Sequence, residues 1–330
     1  MIYRSLGNSG LRVSALGLGT NSFGSRADQE SSIRVLHQAL DAGVNFIDTA
    51  NIYSGTESER IIGVGLAGRR HEVVLATKVG MARGKGPNER GASRRHIRHE
   101  VEESLRRLNT DYIDLYQIHS FDPNTPLEET LRTLDDLVRS GKVRYIGASN
   151  FAAWELMKAL GISEREGLER FISVQPCYSL ADRNVERELA PLCQDQGVGI
   201  IPYFPLAGGI LTGKYGDGSQ VPAGSRLDKD PKSIVGKLLN EKYLKLSGQV
   251  VRIANQLEIT PSALSLAWLM SRPAVSTIIV GATKPEQVLS NAESLNVKLT
   301  PDTLEELDRI SETFVYSQPY ASFRLPVIES

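Results

Sequence analysis

The chain has 330 residues, of which 41% are hydrophobic and 23% charged, and its formal net charge is −1. A chain of this length can bury a large core, either in one α/β barrel or in two average domains. A net charge this close to zero gives no electrostatic footprint for nucleic acid or a membrane surface, so we expect neither partner. No apolar stretch approaches the roughly 20 residues that a membrane-spanning helix needs.

Targeting and redox features indicate a reducing compartment. The cysteines are Cys177 and Cys193, which fits reduced thiols better than a disulfide framework. The N-terminus lacks the apolar segment of a signal peptide, so we expect a cytoplasmic protein. His96 and His99 lie three residues apart on a predicted helix, but no third ligand accompanies them, and we expect no metal.

The first predicted element is a β-hairpin that pairs residues 2–4 with 12–14 around Asn8-Ser9-Gly10. Short apolar runs then alternate with helix-like segments. The strand candidates are 15–19, 44–48, 73–78, 113–118, 143–147, 172–175, 198–202 and 276–280. The helix candidates are 28–42, 57–67, 93–108, 126–139, 151–160, 184–196, 235–257 with 261–271, 285–294 and 302–312.

Eight strand–helix units without a linker-like change of composition predict a single α/β domain over residues 1–330. We interpret it as a (β/α)8 TIM barrel with an N-terminal β-hairpin and an extra C-terminal helix, in preference to an open doubly wound sheet. Threonine side chains are predicted to cap helix starts, and glycines to cap helix ends. The threonines are Thr56, Thr125, Thr260 and Thr300, and the glycines are Gly43, Gly141 and Gly197.

Residues 63–68 match the dinucleotide fingerprint G-x-G-x-x-G letter for letter. That fingerprint needs a strand before it and a helix after it. Here a predicted helix precedes the glycines and the strand 73–78 follows them. We therefore interpret them as the end of a helix that packs closely against its neighbours, and any nicotinamide cofactor would bind elsewhere.

Four polar side chains stand at or just after the C-terminal ends of predicted strands. Asp48 ends the second strand, with Tyr53 in the loop after it. Lys78 ends the third strand, and His119 follows the fourth. Barrels of this class carry their chemistry at that face. Together, an acid, a cation, a carboxylate and an imidazole indicate proton delivery to a carbonyl oxygen.

Each side chain then has a physical role in the predicted chemistry. A free tyrosine, with a pKa of about 10, is a weak acid at neutral pH. Lys78 would lower the pKa of Tyr53 by stabilising tyrosinate, and Asp48 would hold Lys78. His119 would donate a hydrogen bond to the carbonyl oxygen and orient it. Two insertions at the same face, 81–92 and 204–232, are candidate substrate and cofactor loops.

The segment 43–53, Gly-Val-Asn-Phe-Ile-Asp-Thr-Ala-Asn-Ile-Tyr, resembles the signature of the aldo-keto reductases. Leu75-Ala76-Thr77-Lys78 and Leu115-Tyr116-Gln117-Ile118-His119 resemble that family as well. The resemblance extends from residues 10–14 to residues 281–291. Within the family, the chain is similar to the bacterial NADP-dependent reductases of the general-stress-protein and potassium-channel-β-like branches. It implies a TIM barrel that reduces carbonyls with NAD(P)H and without metal, and it assigns catalysis to Asp48, Tyr53, Lys78 and His119.

The resemblance also implies contacts to the nicotinamide half of the cofactor. Ser149, Asn150 and Gln175 match residues that bind the nicotinamide carboxamide, although Ser149-Asn150 alone also fits a helix N-cap. Tyr203 occupies the position of an aromatic that stacks on the nicotinamide ring. The loop 205–215 resembles the one that folds over the pyrophosphate and contributes Pro205, Leu206, Gly208 and Lys214. Phe204 stands where many relatives carry serine.

At the adenosine end, the resemblance assigns Gly281, Thr283, Lys284, Gln287 and Asn291. Phosphate at a helix N-terminus gains from free N–H groups and from the helix dipole. Lys284 would supply a point charge for a 2′-phosphate, so NADPH is favoured over NADH. Many relatives have arginine there, and lysine can neither stack on adenine nor bind in bidentate fashion, so the preference is expected to be softer. Gln287 and Asn291 would contact the phosphate edge and adenine.

Three functions fit these residues. The first is NADPH-dependent reduction of aldehydes or ketones to alcohols, by a monomer or weak homo-oligomer acting on a small molecule. The second is a cofactor-binding regulatory subunit of the same superfamily with little turnover. The third is a Schiff-base aldolase that uses Lys78. A substrate pocket built from 23–26, 53–54, 81–92, 119–124 and the C-terminal tail would have an apolar wall of Phe23, Tyr53, Met81 and Phe121.

Overall fold

The computed structural model describes residues 1–316 apart from 217, 219, 220, 224, 226, 227, 229–235 and 237. Part of the predicted loop 204–232, the start of the predicted helix 235–257 and the C-terminal tail therefore lie outside the described residues. The predicted hairpin is confirmed. Its strands β1 (Tyr3–Ser5) and β2 (Arg12–Ser14) are antiparallel, with Tyr3 opposite Ser14.

Eight parallel strands form the central sheet, and the predicted barrel is confirmed. They are β3 (Leu16–Gly19), β4 (Phe46–Asp48), β5 (Val74–Val79), β6 (Ile113–Ile118), β7 (Val143–Ser149), β8 (Phe171–Gln175), β9 (Gly199–Ile200) and β10 (Ile278–Gly281). The spatial order is β10-β3-β4-β5-β6-β7-β8-β9. The ring closes between β9 and the segment around β10, where Ile200 bridges Val275 and the Ile279 N–H donates to the Pro202 carbonyl at 3.0 Å.

Helices follow the strands and cover the outside of the barrel. They are α1 (Gln29–Asp41), α2 (Glu57–Gly65), α3 (Arg94–Leu108), α4 (Leu127–Arg139), α5 (Ala153–Glu166), α6 (Leu189–Gln196), α7 (Glu241–Gln256), α8 (Pro261–Met270), α9 (Pro285–Ala292) and α10 (Pro301–Ile310). The predicted extra helix at the C-terminal end is α10. None of the helices in the described part of the chain is both long and apolar enough to cross a bilayer.

The predicted helix caps are confirmed at some ends and wrong at two. Thr260 and Thr300 accept hydrogen bonds from backbone N–H groups of α8 and α10. Thr56 makes no capping bond because its backbone is left-handed, with φ 99°. Thr125 donates its hydroxyl to Asp122 at 2.7 Å and leaves α4 uncapped by a side chain. The three predicted glycine caps all have positive φ.

Close packing explains two of the glycines of residues 63–68, Gly63 and Gly65. A Cβ atom placed on Gly63 would lie 2.4 Å from the Arg107 carbonyl oxygen, so glycine lets α2 approach the end of α3. A Cβ atom on Gly65 would lie 2.8 Å from Leu36 of α1. The order of elements is helix, then β5, which supports rejecting the dinucleotide fingerprint.

The alternation of side chains along each strand determines which residues face the inside of the barrel. Inside the barrel lies one buried cluster of Phe46, Ala76 and Leu115, together with Leu6 and Val13 of the hairpin region. Side chains two residues apart on a strand share a face. The next inward positions toward the C-terminal mouth are accordingly those of Asp48, Lys78 and Gln117.

Candidate active site

Asp48 and Lys78 meet across the mouth of the barrel, as predicted from their positions at strand ends. Lys78 is fully buried and Asp48 is 2% exposed. The Lys78 Nζ donates to Asp48 Oδ2 at 2.6 Å and to the Thr49 carbonyl at 2.8 Å. Its remaining N–H reaches the Tyr53 hydroxyl at 3.4 Å. The ammonium thus has its three N–H groups directed at three oxygens, and the third oxygen is the phenol.

The electrostatics of this pair favour an ammonium beside a protonated phenol. Burial lowers the pKa of Lys78, but Asp48 and Tyr53 together more than offset it and the net pKa is raised. Burial raises the pKa of Tyr53, and this effect outweighs the opposing one of Lys78. The expected lowering of the Tyr53 pKa is therefore wrong for the free protein, since Lys78 acts in that direction but desolvation is larger.

A strained turn presents Tyr53. The residues after it, Ser54, Gly55 and Thr56, have φ values of 50°, 68° and 99°. Left-handed backbone in residues other than glycine costs about 1–3 kcal/mol each and is found where a site needs a particular geometry. Thr49 and Thr20 share hydrogen bonds with the Ser58 hydroxyl and tie the start of α2 to the barrel rim.

His119 lies immediately after β6, and its ring is a neighbour of the Tyr53 phenol. Its ring is edge-on to Tyr53, with centroids 5.9 Å apart. Burial, reinforced by the nearby Lys78 charge, holds the pKa of His119 well below its usual range. The imidazole is therefore neutral at physiological pH and has one N–H to donate. Its Nδ1 is buried without a hydrogen-bond partner among the described residues.

Two glutamines complete the surroundings of Asp48. Gln117 Nε2 donates to Asp48 Oδ1 at 3.1 Å, and Gln175 Nε2 donates to the same oxygen at 2.9 Å. Gln175 was predicted as a cofactor contact, and Gln117 was not singled out. The signal for Gln117 was its place two residues before His119, on the inward face of a strand.

The residues assigned to the nicotinamide side lie together. Asn150 donates to the His119 carbonyl at 2.9 Å and accepts from the Tyr203 hydroxyl at 2.9 Å. Ser149 donates to the Gln175 carbonyl at 2.9 Å. Neither Ser149 nor Asn150 caps α5, whose N-cap residue is Ala152 and donates its backbone N–H to Glu155 at 2.7 Å. The alternative interpretation of Ser149-Asn150 as an N-cap is therefore wrong.

The loop after β9 folds into a tight turn before Lys214. Phe204 and Ala207 have positive φ, as do Gly208 and Gly209. The Leu206 carbonyl accepts from the Gly209 N–H at 2.8 Å, so this part of the loop is held by its own backbone. Pro205 lies at the start of the same turn. A Cβ atom on Gly209 would come within 2.8 Å of Lys214 Nζ, which places that ammonium directly over the glycine.

At the start of α9, the Gln287 side chain accepts hydrogen bonds from the backbone N–H groups that were predicted to bind phosphate. Its Oε1 accepts from the Thr283 N–H at 2.7 Å and from the Lys284 N–H at 3.2 Å. Lys284 and Gly281 are exposed, and Asn291 is half-buried at the other end of the helix. A phosphate could contact those N–H groups only after the Gln287 side chain has turned away.

Aromatic side chains form one wall at the rim. Phe121, two residues after His119, meets Trp154 edge-on at 5.8 Å and Phe151 at 5.4 Å. Trp154 is 60% exposed although it is a large apolar side chain. Phe23, predicted as part of an apolar wall, is instead fully buried in the core. Trp154 was not predicted, because its helical position gave no sign of its contact with Phe121.

A comparison with known sequences identifies the family. The model of the Aldo/keto reductase family matches residues 15–312. The chain belongs to the aldo-keto reductases. This aldo-keto reductase carries the expected aspartate, tyrosine, lysine and histidine in contact around one point of the barrel mouth.

Individual relatives span almost the whole chain. A putative voltage-gated potassium channel subunit beta of Schizosaccharomyces pombe is 41% identical over 93% of this aldo-keto reductase and 92% of its own length. The uncharacterized oxidoreductase YrpG of Bacillus subtilis is 38% identical, with 94% and 96% covered. Protein tas of Escherichia coli is 34% identical, with 97% and 100% covered. The relatives thus include a protein named as an oxidoreductase and proteins named as channel subunits.

Proposed function

We propose that this aldo-keto reductase reduces aldehydes and ketones to alcohols with NADPH, as one domain acting on small molecules in the cytoplasm. The observation that carries the proposal is the contact of the Lys78 ammonium with both Asp48 and the Tyr53 hydroxyl. Burying a charged lysine costs free energy even when the lysine is paired, so its presence at the barrel mouth suits a functional use of the charge. A cation directed at a phenol is an arrangement for moving a proton.

In this proposal Tyr53 supplies the proton and His119 orients the carbonyl. Bound NADPH would supply the hydride. A neutral His119 N–H donates to the carbonyl oxygen and places it beside the Tyr53 hydroxyl. As the phenol gives up its proton, Lys78 stabilises the resulting tyrosinate across a distance of 3.4 Å. Asp48 keeps Lys78 charged throughout, so no change in the protonation of Lys78 is required.

The residues at the mouth fit a nicotinamide. Both N–H groups of the Gln175 amide are engaged, with Asp48 and Gln117, whereas its Oε1 takes part in no hydrogen bond among the described residues. An amide oxygen of that kind suits the carboxamide N–H2 of nicotinamide. The Tyr203 ring is fixed by its hydroxyl, which donates to Asn150. We assign it to stacking against the ring, which would determine the face that donates hydride.

A regulatory role is the second candidate, and the names of the channel-subunit relatives favour it. Such a protein would bind NADPH without appreciable turnover. The intact set of Asp48, Tyr53, Lys78 and His119 favours the enzyme. An aldolase is disfavoured because a Schiff base requires a neutral amine, whereas Asp48 keeps Lys78 protonated.

Replacement of the proposed acid tests the function. Tyr53→Phe removes the donated proton and should lower the rate of NADPH oxidation by about 10²–10⁴-fold with a reactive aldehyde. NADPH affinity, measured by fluorescence titration, should change little. Tyr316→Phe is the control, because Tyr316 is 75% exposed at the surface.

The outcome separates the candidates. If the wild-type chain binds NADPH but oxidises it with none of a panel of aldehydes, ketones and sugars, the regulatory role is favoured. If Tyr53→Phe turns over like the wild type, the assignment of the acid is wrong.

A further inference from the structure

We propose that Gln117 is a positioning residue of this site, one that fixes the Asp48 carboxylate so that Lys78 is aimed at Tyr53. Gln117 lies on the inward face of β6 and is fully buried. The proposal rests on the proposed carbonyl reduction for its kinetic test, but its geometric basis is independent of the substrate.

The direction of the hydrogen bonds at Asp48 follows from charge. Asp48 is paired with an ammonium at 2.6 Å and is therefore ionised, and an ionised carboxylate can only accept hydrogen bonds. The amide atoms that face it must be N–H2 groups. This fixes the orientation of Gln117, at 3.1 Å, and of Gln175, at 2.9 Å.

The two amides also hold each other. Gln175 Nε2 donates its second N–H to Gln117 Oε1 at 3.3 Å. Gln117 is thus both a donor to Asp48 and the acceptor that directs Gln175 toward Asp48. Removal of the Gln117 amide would release two hydrogen bonds in a fully buried place.

Occupation of one carboxylate oxygen leaves the other to the ammonium. The amides of Gln117 and Gln175 both donate to Asp48 Oδ1, so the Lys78 ammonium donates to Oδ2. With Oδ2 and the Thr49 carbonyl fixed, the third N–H of Lys78 has one remaining direction, toward the Tyr53 hydroxyl. Gln117 therefore acts on proton transfer through Asp48 and Lys78, without contacting substrate.

Substitutions at position 117 separate positioning from packing. Gln117→Met keeps a long unbranched side chain but removes the donor and the acceptor. Gln117→Glu returns a donor only while its carboxyl is protonated. Leu115→Met is the matched control, because Leu115 is fully buried on the same face of β6, two residues away.

The pH profile of turnover carries the test. Besides the carboxyl group that Gln117→Glu introduces, the titratable groups around this point of the described barrel are Asp48 on β4, Lys78 on β5, Tyr53 on its turn and His119 after β6. Two carboxyl groups that share a buried site have one strongly raised pKa. Gln117→Glu should therefore keep near wild-type turnover at acid pH and lose it along a new limb as the introduced carboxyl group ionises.

Gln117→Met should be roughly tenfold slower than wild type at every pH, and Leu115→Met should match wild type. A merely structural role would lower the melting temperature of the Gln117 variants without adding an ionisation. Wild-type turnover in Gln117→Met, or a Gln117→Glu profile that parallels the wild type, would overturn the proposal.

If the wild type shows no turnover, the effect of Gln117 can be measured on the pKa of Tyr53. Tyr53 can be titrated by NMR of protein labelled at the tyrosine ζ carbon, with its signal identified by its loss in Tyr53→Phe. The added negative charge of Gln117→Glu should raise the Tyr53 pKa, whereas Leu115→Met should leave it unchanged. An unchanged Tyr53 pKa in Gln117→Glu would refute the positioning role.

Discussion

Asp48→Asn is expected to be costly in a way that depends on pH. The wild-type carboxylate accepts from Lys78 on one oxygen and from Gln117 and Gln175 on the other. An asparagine must turn its N–H2 group toward either the ammonium or the amides, and both are donors. Removal of one partner from a buried ion pair costs about 3–5 kcal/mol of unfolding free energy.

The pH dependence gives a second signature of the same variant. Without Asp48, the burial of Lys78 remains, so the pKa of Lys78 would fall below the unfolded value of about 10.4. The unfolded chain then binds more protons than the folded one, and the stability of the variant rises as pH increases toward about 10. In the wild type the Lys78 pKa is raised, so Lys78 contributes no such rise below its unfolded value.

Urea unfolding at neutral and alkaline pH measures both effects. Asp136→Asn is the control, because Asp136 pairs with Arg98 at the surface, where such a pair is worth about 0–1 kcal/mol. If Asp48→Asn lost no more stability than Asp136→Asn, the predicted cost of breaking the buried pair would be wrong. If Asp48→Asn gained no stability between about pH 7 and 10, the predicted fall of the Lys78 pKa would be wrong.

Three further variants test other parts of the structure. Lys284→Ala should raise the KM for NADPH about tenfold and that for NADH little, and equal effects would contradict a 2′-phosphate contact. Trp154→Ala should raise the KM for aromatic aldehydes about tenfold but not that for a small aliphatic aldehyde, with Met157→Ala, 40% exposed on the same helix, unaffected. Gly63→Ala should lower the unfolding free energy by about 1–3 kcal/mol, whereas Gly161→Ala, which has open space around it, should not.

The fold was predictable because its signals are local. Apolar runs, helix periodicity and the threonine-proline starts of α8 and α10 each depend on a few neighbouring residues. The resemblance then placed Asp48, Tyr53, Lys78 and His119 at one face, where the structure brings them into contact.

What the sequence did not predict depends on register and on burial. The capping role expected of Thr56 fails because the strained turn after Tyr53 changes its backbone, which no spacing rule encodes. Gln117 and Trp154 matter through neighbours that are distant in the sequence. The Tyr53 pKa depends on how far desolvation exceeds the effect of Lys78, and only the packed structure fixes that balance.

The closure of the barrel has a consequence for its synthesis. The first barrel strand, β3, pairs on one side with β4 and on the other with β10, which lies near the far end of the chain. Until the ribosome has released β10, both β3 and the two-residue β9 present unpaired backbone edges. A truncated or stalled chain that ends before Ile278 would therefore expose two unpaired edges at once, and we expect it to need chaperone protection that the full-length chain does not.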